Sequence, residues 1–221
     1  MGFTAQLRKN ADHIWEANFN HPFVQGIGAG TLAKDKFIFY LKQDYLYLID
    51  YSRYFALIVA RAPNLTLMTG FAELLHTTLK FEMDLHRGIC SDFGISADEL
   101  ENAEPTPDTL NYTSYLIKSA LLGTTGETLA GFLPCTWGYV EIAQRLLKRG
   151  LPNEKHYRQW VEMYSSGEFD GLVIYYRNLL DEYAGNASEE EKGKMRSVFD
   201  TSSRLEYMFW DMAWNQRGWP I

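Results

Sequence analysis

The segment that decides the fold is KDKFIFYLKQDYLYLIDYSRYFALIVARA, which runs from Lys34 to Ala62. It contains neither glycine nor proline, and its apolar residues recur every three or four positions. This spacing predicts a long helix with apolar residues around most of its circumference. Because such a helix must be covered on several sides, we expect it at the centre of the molecule.

The remainder of the chain also has helical patterns, and no segment alternates clearly as a strand would. The nearest strand candidate, LVIYY at 172–176, keeps the helical period in its flanks. Three helix starts carry the capping-box pattern, a Ser or Thr followed three residues later by Glu: Ser96 with Glu99, Thr124 with Glu127, and Ser188 with Glu191. The further predicted helices are roughly Leu65–Phe93, Thr109–Leu122, Glu127–Arg149, Glu154–Ser165, Glu168–Ala184 and Glu189–Arg217.

Length and composition favour one all-helical domain. The 221 residues, of which 46% are hydrophobic, are enough for a sizeable core and few enough for a single domain. The one proline-rich passage, Glu104 to Asp108, joins two helices, and no repeat or low-complexity tract marks a boundary. We therefore expect a single all-α domain over residues 1–221, built from about eight helices.

Charge and composition argue against several classes of partner. The chain has 21 basic and 28 acidic residues, a net charge of −7, and no basic run that would contact phosphates. It has no run of about 18 uncharged apolar residues, and its N-terminus lacks the apolar core of a signal peptide. Two cysteines, Cys90 and Cys135, are too few for a disulfide framework, and we expect both to be reduced. These features predict a cytoplasmic protein without a nucleic-acid or membrane partner.

Metal and cofactor sites have weak support. Glu73 and His76 form an E-x-x-H pair, and Glu82 and His86 lie four apart, which makes a di-iron helix bundle conceivable. That class needs two E-x-x-H pairs with two further carboxylates, and the other histidines lie in unrelated contexts. Glycine-rich nucleotide-binding motifs are absent as well. We expect no metal and no cofactor.

A proline lies inside one predicted helix, in the stretch AGFLPCTWGYVE at 130–141. Pro134 lacks an amide hydrogen and its ring crowds the carbonyl of Ala130, so we expect a bend that costs about 3 kcal/mol. Cys135 and Tyr139, four residues apart, then share one helix face, which is a candidate pocket wall. Two interpretations of Cys135 remain open at this point, a buried apolar side chain or a catalytic thiol.

Two carboxyl groups lie among apolar neighbours. Asp44, in FYLKQDYLYL, is expensive to bury alone, so it needs an Arg or Tyr of the fold or a ligand bearing N–H groups. Glu206 lies in SRLEYMFWDMAW among aromatic residues. A carboxyl in such surroundings often has the raised pKa that a general acid requires.

Five segments resemble the TenA family of thiaminase II enzymes, in order and across nearly the whole chain. They are HPFVQGIGAGTLAKDKFIFYLKQDYLYLIDYSRYFAL, NYTSYL, LPCTWGYVE, WVEMYSSGEF and EYMFWDMAW. The resemblance implies a haem-oxygenase-like helical fold without haem, and a homotetramer. It also implies hydrolysis of aminopyrimidines in thiamin salvage. In that reaction 4-amino-5-aminomethyl-2-methylpyrimidine becomes the hydroxymethyl pyrimidine, and thiamin itself is cleaved as well.

The same resemblance implies roles for individual residues. The family's nucleophile falls on Cys135 and its acid/base carboxylate on Glu206, while Asp44 matches the carboxylate that holds the pyrimidine's amino group and ring nitrogen. Some members carry Phe where this chain has Tyr47, so we expect that ring to stack. The remaining pocket positions are Tyr112, Tyr164 and, as part of the wall, Tyr139.

These residue types suit the implied chemistry. An electron-poor pyrimidine accepts a thiolate at the ring carbon beside its unsubstituted nitrogen, provided that a carboxylic acid protonates that nitrogen. The dearomatised ring then expels the amine from the exocyclic methylene, water adds there, and the thiolate leaves. Two alternatives remain on the same scaffold: a non-catalytic pyrimidine-binding or regulatory protein, and a metal-dependent oxygenase. Cys135 favours the enzyme.

Overall fold

The computed structural model describes residues 1–221, and every regular element in it is helical, as the sequence predicts. The α-helices are α1 Phe3–Asn10, α2 Asp12–Phe19, α3 Pro22–Ala29, α4 Lys34–Arg61, α5 Leu65–Thr77, α6 Met83–Asp92, α7 Ala97–Glu101, α8 Pro107–Leu122, α9 Thr125–Leu147, α10 Lys155–Tyr164, α11 Gly167–Gly185 and α12 Glu189–Asn215. A π-helical turn, Thr78–Glu82, joins α5 to α6.

Helix α4 is buried on most sides, as its sequence predicts. Helices α5, α6, α8 and α12 all pack against it. Its five tyrosines are buried: Tyr40, Tyr45, Tyr47, Tyr51 and Tyr54. The apolar core forms one continuous cluster of 56 buried residues, and α4 contributes to it along its length.

The predicted helix starts are largely confirmed. Complete capping boxes begin α9 at Thr124 and α12 at Ser188. Ser96 caps α7 by accepting the amide hydrogen of Glu99, but the reciprocal half of the box is missing. The reason is that the Glu99 carboxylate pairs with Lys42 at 2.5 Å instead.

The structure has more helices than the predicted number of about eight. Helices α1, α2 and α3 have eight residues each, which is too short for a clear apolar period, and the sequence analysis did not detect them. The predicted helix Leu65–Phe93 follows a helical path, but the π-helical turn interrupts it. Such turns occur frequently at functional sites, and this one ends at Glu82.

Helix α9 continues through its internal proline. Pro134 cannot donate an amide hydrogen to the Ala130 carbonyl, yet α9 extends on both sides of it. The next carbonyl, on Gly131, accepts a hydrogen bond from the Ser202 hydroxyl of α12 at 2.8 Å. A Cβ added to Gly131 would lie 3.2 Å from Val198, so the glycine permits a close approach of α9 and α12. This contact fixes the position of Cys135 relative to α12.

No helix combines the length and the apolar character needed to cross a bilayer.

Candidate active site

The largest cavity has a volume of about 680 Å³ and lies beside α4. Its walls come from α4, α5, the π-helical turn and helices α9, α10 and α11. Five of the predicted site residues line it: Asp44, Tyr47, Cys135, Tyr139 and Tyr164. No Lys, Arg or His side chain lines the cavity, whereas four carboxyl groups do: Asp44, Glu73, Glu82 and Glu168. The cavity therefore favours cationic or neutral ligands over anionic ones.

The other two predicted site residues, Tyr112 and Glu206, do not line this cavity. They line a narrow inner recess next to it, which Phe209 helps to close and which is too small to hold a water molecule. The recess and the cavity share four residues: Asp44, Tyr47, Cys135 and Tyr139. The structure thus brings all seven predicted residues together, but in two layers that the sequence did not predict.

Glu206 lies on α12 and is only 6% exposed. Its Oε1 accepts a hydrogen bond from the Tyr112 hydroxyl, which also lies 3.2 Å from the Ser202 hydroxyl. Burial raises the pKa of Glu206 to about 7, while Tyr112 and the Cys135 thiol act in the opposite direction. The carboxyl is therefore close to half-ionised near neutral pH, which suits a group that both donates and accepts protons.

Cys135 lies one residue after the proline of α9 and is partly exposed in the cavity wall. Burial raises the pKa of its thiol well above the ordinary value of 9.0, and the negative charge of Glu206 raises it further. The thiol is therefore protonated at rest. A thiolate at this position requires a base that takes the proton.

Asp44 lies on α4 and is 4% exposed. Its Oδ2 accepts a hydrogen bond from the Tyr40 hydroxyl at 3.1 Å and lies 3.2 Å from Nε2 of His86. Burial raises the pKa of Asp44 well above its ordinary range, and the charge of Glu82 adds to this effect. Burial also lowers the pKa of His86 to about 4. Of the partners that the sequence left open for Asp44, the structure supplies a tyrosine, Tyr40, and neither this contact nor that of His86 involves Oδ1.

The sequence analysis missed the contributions of Glu82 and His86 to this site. Tyr164 donates a hydrogen bond to Oε1 of Glu82 at 3.4 Å, and burial raises the pKa of Glu82 to about 7. The spacing of Glu82 and His86 is the available signal in the sequence, and by itself it indicates only a possible metal motif. No group of three or more His, Cys, Asp and Glu side chains is placed to hold a metal ion.

Aromatic rings form the remaining walls. The rings of Tyr139 and Tyr164 meet edge to face at 4.8 Å between centroids. Tyr47 and Tyr51 stack with centroids 5.2 Å apart. A flat heteroaromatic ring fits between such walls by stacking and edge contacts. A thiol and two buried carboxyl groups thus surround a space suited to such a ring.

Comparisons with known proteins show the family to which this chain belongs. The sequence profile of the TENA/THI-4/PQQC family matches residues 8–216. A protein of Halalkalibacterium halodurans called aminopyrimidine aminohydrolase is 50% identical over 222 residues, which cover 99% of this chain and 98% of that protein. The chain therefore belongs to the TENA/THI-4/PQQC family, and the predicted family resemblance is confirmed.

Solved structures confirm the fold. A TenA homologue from P. horikoshii OT3 has a TM-score of 0.91 at 31% identity, with 98% of this chain and 100% of that chain covered. A domain of unknown function from Shewanella denitrificans with a heme oxygenase-like fold has a TM-score of 0.76 at 16% identity, with 96% and 92% covered. The fold is haem-oxygenase-like and all-α, as the resemblance implied.

Proposed function

We propose that this protein hydrolyses 4-amino-5-aminomethyl-2-methylpyrimidine to the 5-hydroxymethyl pyrimidine, and also cleaves thiamin, in thiamin salvage. The name of the H. halodurans relative, which shares half of its residues with this chain, supports the reaction class. The observation that carries the proposal is the position of Cys135, which lines both the cavity and the recess that contains Glu206. A thiol next to an acid/base carboxyl is the pair that this hydrolysis needs.

Asp44 anchors the amino face of the pyrimidine. Burial raises the pKa of this carboxyl well above its ordinary range, which favours the protonated form. A protonated carboxyl can donate to the ring nitrogen and accept from the neighbouring amino group at once, whereas a carboxylate can only accept. The Tyr40 hydroxyl, 3.1 Å from Oδ2, and His86 hold this group in place.

Glu206 carries the proton from sulfur to the ring. The ionised fraction of Glu206 takes the Cys135 proton as the substrate binds, and the protonated carboxyl then donates to the unsubstituted ring nitrogen. The thiolate attacks the ring carbon beside that nitrogen. Because the proton moves from sulfur to nitrogen through Glu206, the raised pKa of the thiol does not prevent attack.

The remaining steps complete the hydrolysis. The dearomatised ring expels the amine, the bond to the exocyclic methylene breaking with its electron pair on nitrogen. Water adds to the methylene and loses a proton, which replaces the one that the amine carries away as ammonia. The bond between the ring and Cys135 then breaks, the ring nitrogen returns its proton through Glu206 to the sulfur, and the ring regains aromaticity. The Tyr47, Tyr139 and Tyr164 rings hold the pyrimidine flat by stacking and edge contacts.

The lining of the cavity predicts a substrate order. No basic side chain is available to hold a phosphate, so we expect thiamin diphosphate to be a poor substrate. We expect the aminomethyl pyrimidine to have a higher kcat/KM than thiamin, whose thiazolium must also be accommodated. The test measures kcat/KM for all three compounds under the same conditions. A clear preference for thiamin diphosphate would overturn the assignment.

The assembly and location belong to the same proposal. We expect a cytoplasmic homotetramer, as in the family that the sequence resembles. The exposed Leu79 and Phe81, on the π-helical turn beside the cavity, support coverage by another subunit, because their side chains are 50% and 65% exposed. Light scattering on the purified protein measures the mass; a monomer at micromolar concentration would contradict this part of the proposal.

A further inference from the structure

Glu82 is a partly buried acid that the mechanism above does not use. It ends the π-helical turn and lines the same cavity as Cys135. Its polar contacts are the Tyr164 hydroxyl, at 3.4 Å from Oε1, and Thr78. No cationic side chain lines the cavity to neutralise it. A carboxyl that is desolvated in this way without a cationic partner needs a reason to be there.

The order of atoms around the pyrimidine shows which group faces Glu82. In the proposed function, the unsubstituted nitrogen meets Glu206, the neighbouring carbon meets Cys135, and the amino group meets Asp44. The ring carbon that bears the aminomethyl group lies between two others: the carbon that Cys135 attacks and the carbon that carries the amino group held by Asp44. Those two residues line the outer cavity as well as the recess, whereas Glu206 does not line the outer cavity. The departing amine therefore projects into the outer cavity.

We propose that Glu82 is a catalytic residue that holds a proton on the departing nitrogen of the aminopyrimidine, with Tyr164 orienting its carboxyl. This inference rests on the proposed function and adds a second acid to it. Glu206 serves the ring nitrogen from the side of the recess, and Glu82 serves the exocyclic nitrogen in the cavity. The two carboxyls thus act on opposite ends of the electron flow.

The proton and electron balance is simple. The bond between the methylene and nitrogen breaks, and its electron pair stays on nitrogen. The proton shared by Glu82 and the amine goes with the nitrogen, so that neutral ammonia leaves and Glu82 remains as a carboxylate. That carboxylate then accepts the proton lost by the water that adds to the methylene. No oxidant, reductant or further reactant is required.

The electrostatics of the cavity support this assignment. The charge of Glu82 contributes to the raised pKa of both Asp44 and Cys135, so the three groups lie within mutual electrostatic reach. Burial raises the pKa of Glu82 itself to about 7, while the Tyr164 and Thr78 hydroxyls lower it. Such a group can give and take a proton in one catalytic cycle.

The test uses two substrates with different leaving groups. Thiamin loses its thiazolium as a neutral thiazole, because the bond pair cancels the positive charge on nitrogen, and no proton is needed there. The aminomethyl pyrimidine must lose ammonia. Its departing nitrogen therefore needs a third proton when the bond breaks, and this is the proton that Glu82 holds. We expect Glu82→Gln to lower kcat about 100-fold with the aminomethyl pyrimidine. The loss with thiamin should be at least 10-fold smaller.

A matched control is available two residues away on α6. Asp84 is exposed, pairs with Arg87 at 3.5 Å and does not line the cavity, so Asp84→Asn should leave kcat unchanged with both substrates. Tyr164→Phe provides a second variant, since it keeps the ring and removes the hydroxyl that contacts Glu82. It should show the same dependence on the leaving group with a smaller loss, even if Glu82→Gln does not fold.

The outcomes separate this inference from the proposed function. Equal losses with both substrates in Glu82→Gln, or no loss with either, would overturn the role of Glu82 while the hydrolase assignment stands. If the wild-type protein turned over neither compound, the proposed function would fail and the inference with it. A larger loss with the aminomethyl pyrimidine than with thiamin, in both Glu82→Gln and Tyr164→Phe, is the result we expect.

Discussion

The two cysteines of this protein lie in regions that differ in one decisive respect. Cys90, on α6, has no exposed surface and packs in the apolar core. Burial raises the pKa of Cys90 to about 11. Cys135, on α9, also has a raised pKa, but it lies in the wall of a large cavity and next to Glu206. The two cysteines thus differ in two ways: Cys135 is accessible from the cavity, and it has a neighbouring carboxyl that can accept its proton.

This comparison shows how a thiol can be a nucleophile without being a thiolate at rest. A low thiol pKa is the usual sign of a reactive cysteine, and neither cysteine here has one. In the account proposed here, Cys135 becomes a thiolate only when a substrate is present to receive the proton through Glu206. Cys90 has no such route.

Removing the sulfur of Cys135 is expected to have the largest effect. Cys135→Ser should lower kcat for the aminomethyl pyrimidine by about 1000-fold or more, because a serine hydroxyl is a far weaker nucleophile here. The fold should survive, which thermal unfolding measures. Cys90→Ser is the matched control and should keep near wild-type turnover. If Cys90→Ser were the inactive variant, the choice of nucleophile would be wrong.

The carboxyl next to Cys135 should have the second largest effect. Glu206→Gln keeps the shape of the side chain and its hydrogen bond with Tyr112, but it cannot transfer a proton. We expect kcat to fall about 100-fold with little change in KM. Steady-state kinetics separate the two parameters. A change in KM alone would mean that Glu206 only positions the substrate.

Asp44 should affect binding more than chemistry. Asp44→Asn keeps one acceptor oxygen but loses the carboxyl proton, so we expect KM to rise about 10-fold. The contacts with Tyr40 and His86 would also change, and some stability should be lost. Titration with the hydroxymethyl pyrimidine product measures affinity directly. Unchanged affinity together with unchanged stability would remove Asp44 from the site.

A further expected effect is on stability rather than on activity, and it depends on pH. The pKa of Glu206 is about 7 in the folded protein, above the ordinary value of 4.5. The folded state then holds the proton more tightly, so this group favours folding below pH 4.5, and that contribution is lost as pH rises to 7. The glutamine in Glu206→Gln does not titrate, so the variant does not show this loss of stability as pH rises. The free energy of unfolding of the variant, relative to wild type, should increase by about 3 kcal/mol across this range.

Denaturant unfolding of both proteins at pH 4.5 and pH 8 measures this difference. Other ionisable groups are common to both proteins, so most of their contribution cancels in the comparison. A relative stability that does not change with pH would show that the pKa of Glu206 is not raised in the folded state.

The sequence predicts the fold wherever a long periodic pattern exists. Helix α4 was predicted as Lys34–Ala62 and is observed as Lys34–Arg61, because its apolar residues repeat over many turns. The short helices α1 to α3 have too few turns for such a pattern. The π-helical turn has no composition signal of its own, since its neighbours continue the same helical path. The extent of the single domain stays a prediction.

The candidate site was predictable in its membership but not in its arrangement. Cys135 is recognisable because it follows a proline inside a helix. Asp44 and Glu206 are recognisable as carboxyls among apolar residues. The separation into a cavity and an inner recess depends on how distant helices pack, which local spacing does not encode. The contributions of His86 and Glu82 could not be predicted for the same reason, because their partners, Asp44 and Tyr164, lie on other helices.

The most direct test of the central claim uses the Cys90→Ser variant, in which Cys135 is the only thiol. Methyl methanethiosulfonate converts that thiol to a mixed disulfide, intact mass measures the blocked fraction, and dithiothreitol reverses the change. We predict that turnover of the aminomethyl pyrimidine falls in proportion to the blocked fraction and returns on reduction. Full turnover by protein whose thiol is completely blocked would contradict nucleophilic catalysis by Cys135.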